Sequence, residues 1–186
     1  MRQRFWVKVN MPTKIKPAIA PTPSQTLPAT PAPIQPLQPL TADTQLSLAY
    51  AMQVANTNLD SSEKLYLEGV SGVRAYGSGA TRLGGSEGQT FTAELRHNLD
   101  ANWRLNGFYD YGKARVNRNN IQATDINDYQ IRGYGFSLGW QNIKGVDLKA
   151  TVAKRVGLNP NPTAQGNDQD GTFKNPRYWL SANVAF

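Results

Sequence analysis

From residue 44 onward, apolar side chains recur at every second position in runs of about ten residues, and charged or polar side chains fill the positions between them. A period of two belongs to an extended strand whose two faces meet different surroundings, so the pattern commits this part of the chain to β-structure. Residues 45–54 set Leu46, Leu48, Tyr50, Met52 and Val54 against Gln45, Ser47, Ala49, Ala51 and Gln53. Residues 90–99 set Phe91, Ala93, Leu95 and Leu99 against Thr92, Glu94, Arg96 and Asn98, with His97 on the apolar side. After the turn-forming Asp100-Ala-Asn102, Trp103, Leu105, Tyr109 and Tyr111 oppose Arg104, Asn106, Phe108 and Asp110, which predicts a hairpin. The runs 129–140, 146–153 and 178–186 repeat the alternation: Tyr134, Phe136 and Leu138 against Gly133, Gly135 and Ser137, then Leu148 and Val152 against Asp147 and Lys149, then Tyr178, Leu180 and Val184 against Trp179, Ser181 and Asn183. The expectation is an all-β fold, an antiparallel meander of about six strands. Tight turns alternate with long polar connections at about 56–88, 117–128 and 156–176.

The region before residue 44 is of another kind. Nine of the twelve prolines lie between Pro12 and Pro39, whereas all sixteen glycines follow residue 68. Proline lacks the N–H that a strand ladder needs, and so Pro-rich a segment buries no core. Residues 12–40 therefore read as an extended linker, and 1–43 as a disordered Pro-rich segment set apart from a β-rich domain at 44–186. The first ten residues hold no apolar stretch of the length a signal peptide needs.

Composition removes several kinds of chemistry. With no cysteine and one histidine, disulfide scaffolds, thiolate metal sites and His-rich metal centres are excluded. No cofactor and no metal are expected. Gly77-Ser-Gly79 and Gly84-Gly85 do not follow an apolar strand and open a helix, so they read as flexible loop rather than as a phosphate cradle. The formal charge of +7 is dispersed along the strands instead of gathered on one face, which argues against nucleic acid as a partner.

A soluble sandwich and a membrane barrel both alternate, and they differ in which face is inside. Strand lengths near the 9–11 residues that cross a bilayer, the alternation of short turns with long loops, and aromatic residues at strand ends (Trp103, Trp140, Tyr178, Phe186) favour a barrel wall in an outer membrane. The face carrying Thr92, Glu94, Arg96, Arg104, Asp110, Asp147 and Lys149 is then the water-filled interior, and its alternates meet lipid. Six strands fall short of the eight at which single-chain barrels close, so the chain reads as part of a larger one.

Two motifs carry a resemblance. The long first connection contains Val73-Arg74-Ala75-Tyr76, and a later strand contains Phe108-Tyr-Asp110-Tyr-Gly112. In this order and spacing, with Glu94-Leu-Arg96 between them and a terminal Phe186, they resemble the outer-membrane transporters of two-partner secretion, the haemolysin secretion/activation family. The resemblance covers about residues 44–186. It implies the C-terminal part of a sixteen-stranded barrel that exports a large unfolded exoprotein without ATP, so that the chain is not an enzyme. Val73 to Tyr76 would be the tip of a loop folded back into the lumen. Phe108, Asp110 and Gly112 would be the wall motif that meets it, and Phe186 the signal read by outer-membrane assembly machinery. The segment 1–40 resembles a linker that stands far upstream in the family, so the chain reads as a truncated or partial product. The alternative is a small independent outer-membrane β-protein that binds a ligand through the 117–128 and 156–176 loops; a soluble basic β-domain is a third reading.

The pairing has its own chemistry. An Arg guanidinium presents donors in a planar fork that a carboxylate accepts with both oxygens. Arg74 and Asp110 supply such a pair, with Asp110 inward by phase, Gly112 leaving room at the wall and Tyr76 packing there. Pairing of Asp110 with Arg96 or Arg132 on a neighbouring strand satisfies the same chemistry.

Overall fold

The computed structural model describes residues 37–120, 126–142, 145–172 and 174–184. Phe186 and the segment before Leu37 lie outside the described residues, so the expectations attached to them have no structural counterpart below.

The fold is an all-β antiparallel meander. In chain order the strands are β1 (Leu37–Pro39), β2 (Thr44–Gln53), β3 (Leu65–Tyr66), β4 (Gly84–Gly85), β5 (Glu87–Asn98), β6 (Trp103–Arg115), β7 (Asp128–Gln141), β8 (Val146–Arg155) and β9 (Arg177–Val184). Seven form one sheet in the order β1-β2-β5-β6-β7-β8-β9, and β3 and β4 pair separately within the first long connection. The six long strands are those the alternation marks, and β1 is a three-residue addition from the Pro-rich side, paired Leu37 to Ser47. Toward the long connections, β5 and β6 run three and four residues further than the alternation reaches, and β7 one. There Gly112, Ala114, Tyr129 and Ile131 face inward and break the polar/apolar contrast on which the reading rests.

The two faces of the sheet are inverted relative to a water-soluble sheet. Leu95, Leu105, Tyr109, Tyr134, Phe136, Leu138, Leu148, Tyr178, Leu180 and Val184 are exposed on the outer face. Ser47, Glu94, Asn106, Asp110, Ser137 and Thr151 are buried on the inner one. Pairing register lines these inward residues up in rows that cross the sheet. One row runs Ala49, Thr92, Asp110, Gly133, Arg155; the next runs Ser47, Glu94, Phe108, Gly135, Ala153, Arg177.

All three long connections (54–86, 116–127 and 156–176) leave the same end of the sheet, and the tight turns occupy the other. The first connection turns back along the inner face. Its residues Leu67, Val73, Ala75, Tyr76 and Ala80 pack with Phe108, Ala114, Tyr129, Ile131 and Ala153 of the wall as the apolar cluster of the molecule. No described helix is long and apolar enough to cross a membrane, which says nothing of strands.

Candidate functional site

The tip of the inward loop is a hydrogen-bonded knot before it touches the wall. Val73 N–H donates to the Leu67 carbonyl at 2.7 Å, Gly69 N–H to the Tyr76 carbonyl at 3.0 Å, and Tyr76 N–H to the Val73 carbonyl at 3.1 Å. Gly69 has φ +99°, a left-handed conformation that favours glycine, and so allows the reversal. Gly72 lies so close to Leu67 that a Cβ there would stand 2.1 Å from its carbonyl oxygen. The knot therefore presents residues 73–76 in one conformation.

Arg74 projects from it onto the row that holds Asp110. Its Nε donates to Asp110 Oδ2 at 2.9 Å and its Nη2 to Oδ1 at 2.9 Å, the two-pronged geometry of an Arg fork. The Arg74 backbone N–H adds a third bond to Oδ2 at 3.0 Å, and the Thr92 hydroxyl donates to Oδ1 at 3.0 Å. The remaining guanidinium nitrogen, Nη1, donates to Glu94 Oε2 at 2.7 Å. Arg96 Nε holds the other Glu94 oxygen at 2.9 Å, so Arg96 pairs with Glu94 and not with Asp110. Phe108 lies flat beneath the group, with Arg74 Cζ 3.4 Å from its ring centroid, in cation–π contact. Asp110 is 1% exposed. Burial opposes the Arg74 charge, and the Asp110 and Glu94 carboxylates more than offset it, so the guanidinium stays charged.

The wall accommodates the tip through glycine. A Cβ at Gly133 would stand 2.4 Å from Ala75 Cβ, and one at Gly135 would stand 2.7 Å from Phe108 Cζ. Gly112, assigned to the wall motif, is covered by Leu67 and Val73, whose nearest atoms would be 3.1–3.3 Å from an added Cβ. Tyr76 sits elsewhere, against Arg155 of β8, whose Cζ is 4.5 Å from the ring centroid. On the far side, the Trp179 indole N–H of β9 donates to the Arg74 carbonyl at 2.8 Å. One tip thus touches β5, β6, β7, β8 and β9, and the sheet curls around it.

Of the residues singled out from sequence, the structure brings Val73, Arg74, Ala75 and Tyr76 together with Phe108, Asp110 and Gly112. It adds partners that the alternation did not assign: Glu94 as a second carboxylate for Arg74, Trp179 on its carbonyl, and Gly133 beneath Ala75. Gly133 was the available signal, since glycine inside a strand marks close approach of another backbone. Among the described residues no cluster of His, Cys, Asp and Glu is placed to hold a metal.

An antiparallel sheet with an apolar outer face, enclosing a loop pinned by a buried Arg to two carboxylates, is the architecture these contacts define. The chain is similar to the heme/hemopexin transporter protein HuxB of Haemophilus influenzae strain 86-028NP, 27% identical over a 140-residue alignment that covers 72% of this chain and 23% of that protein. HuxB of strain ATCC 51907 is 29% identical over a 115-residue alignment that covers 59% of this chain and 20% of that protein. The chain thus spans less than a quarter of the length of the curated relatives it matches. No protein-family model matches it, and no solved structure does.

Proposed function

We propose that this chain forms the C-terminal part of an outer-membrane transporter barrel of the two-partner secretion type, which passes a large secreted exoprotein to the cell exterior. The observation that carries the reading is the Arg74 fork on Asp110 and Glu94, which holds a loop inside a sheet whose apolar side faces out. Likeness to a heme/hemopexin transporter supports it. Lipid is the natural neighbour for the outer face, since a one-residue slip in register would move each inward charge into hydrocarbon. A closed barrel also needs strands beyond those here, because an open edge in lipid leaves each unpaired backbone group costing several kcal/mol. The role of the site is mechanical: a loop within a wet conduit keeps its place only if it is bonded against thermal motion and passing cargo.

Facing is tested in lipid vesicles on a closed barrel, a chimera in which residues 44–186, which bring no cysteine, replace the matched stretch of HuxB. Fluorophores on single cysteines at 95, 136 and 148 are expected to be quenched by brominated acyl chains, and those at 104, 147 and 149 by aqueous iodide. Reversed quenching would place the charges in lipid and end the proposal. Export is tested in the same chimera. Arg74→Ala and Asp110→Ala should each lower cargo release, and the double variant should be little worse than either, since both remove one contact.

A further inference from the structure

A second buried ion cluster grips the same loop from the other side. Asp168, in the 156–176 connection, is 1% exposed and accepts both prongs of the Arg155 fork from β8, the Nη1 bond at 2.8 Å. It also accepts Arg177 Nη2 of β9 at 3.1 Å and Asn159 Nδ2 at 2.7 Å. Each of these partners reaches the loop. Arg155 Nε donates to the Ala75 carbonyl at 3.2 Å, and Asn159 Nδ2 donates to the Ala80 carbonyl at 3.1 Å. The Gln169 N–H shares the Ala80 carbonyl at 2.9 Å, and Asn161 Nδ2 takes the Thr81 carbonyl at 2.7 Å. The Arg177 guanidinium lies against Gly77, where a Cβ would stand 2.1 Å from its Nη1. Gly77 is thus the gap through which Arg177 passes the loop to meet Asp168.

Register explains why two grips are needed. Asp110 and Arg155 stand in one inward row with Gly133 between them. At the usual strand spacing they are roughly 10 Å apart, on either side of the tip. The negative wall residue takes the Arg74 side chain, and the positive one takes the Ala75 carbonyl. Two guanidiniums share one fully buried carboxylate, and the next acid, Asp170, approaches Arg177 only to 3.9 Å. Loss of Asp168 would leave two sequestered positive charges short of their counterion, so the cluster is tight when closed and all of it depends on one residue.

We infer that Asp168 is the positioning residue of a second latch, which ties the 156–176 loop to residues 75–81 and releases separately from the Arg74 anchor. Pulling the 156–176 loop outward frees the later limb of the inward loop while its tip stays on Asp110. Only the use of this latch in export rests on the transporter reading; the latch itself does not.

The test is hydrogen–deuterium exchange on the whole chain folded in detergent micelles. Asp168→Asn keeps the shape of the side chain and removes its charge. It should speed exchange at Ala80 and Gln169 by roughly tenfold to a hundredfold, and leave the Arg74 amide, bonded to Asp110, as protected as before. Gly77→Ala, which displaces only Arg177, should give the same pattern more weakly and decides the matter if Asp168→Asn does not fold. Unchanged exchange at Ala80 and Gln169 would overturn the latch, and so would acceleration that spreads equally to Arg74 and strands β5 and β6. In the HuxB chimera, loss of export in Arg74→Ala but not in Asp168→Asn would remove the latch from export alone. Normal export in both would count against the transporter reading and leave the exchange result standing.

Discussion

The inner face of the sheet is built by the same strands from end to end, yet its two ends differ in kind. Toward the tight turns it borders a cavity of about 340 Å³ lined by Arg96, Arg104, Asn106, Asp147, Lys149 and Asn183. Toward the long connections it is covered by the inward loop, with Leu67, Val73 and Tyr76 packed on Phe108, Tyr129 and Ile131. Phase along a strand decides only which way a side chain points. What it meets there is decided by whether the loop reaches that row, and the Glu94–Phe108 row, which lies under Arg74, is the boundary.

If that boundary is real, substitutions on its two sides should differ by several kcal/mol when the folded chain is unfolded in urea. The largest loss belongs to Asp110→Ala, which strands a buried Arg74: about 3–5 kcal/mol. Slightly smaller is Ile131→Ala, where a fully packed side chain leaves a cavity under the loop: about 2–5 kcal/mol. Arg104→Ala and Asp147→Ala, exposed in the open end, should each cost under about 1 kcal/mol; losses as large as that of Ile131→Ala would show that the open end is packed too. The smallest effect is a pH dependence. Burial pushes the Glu68 carboxyl above its ordinary value, against the pull of the Thr81 hydroxyl and the Gly79 N–H. The folded state therefore holds that proton more tightly than the unfolded chain. Its contribution is fully present below the ordinary glutamate range and is lost as pH rises through the raised value. Glu68→Gln should flatten that part of the stability curve, and an unaltered curve would show that another group sets it.

Much of the wall could be read from residues alone, because period two is a local signal and each long strand carries it. Arg74 and Asp110 were legible as a pair only through the two motifs, since nothing in the alternation distinguishes Arg74 from Arg96 or Arg132 as the partner of an inward Asp. The cluster at Asp168 was not legible. It lies in irregular chain, its partners Arg155 and Arg177 sit at strand ends where phase is least certain, and a buried aspartate there looks like any polar loop residue. Tyr129 and Ile131 were missed for a related reason: apolar residues that point inward under a loop contradict the contrast by which inward was recognised.

The hydrogen bond from Trp179 to the Arg74 carbonyl spans 105 residues, whereas the Arg74 bonds to Glu94 and Asp110 span 20 and 36. Loop-closure entropy makes the longest of these closures costlier than the 36-residue one by about 1 kcal/mol, and neighbouring hairpins of a meander form from still more local contacts. By that measure the tip closes onto the β5–β6 hairpin at lower entropic cost than onto β9. A tip held on β5 and β6 presents its Arg74 carbonyl as a fixed acceptor for the Trp179 indole of β9. Loss of the Arg74 anchor on Asp110 therefore costs β9 a preformed partner as well as costing β6 a contact.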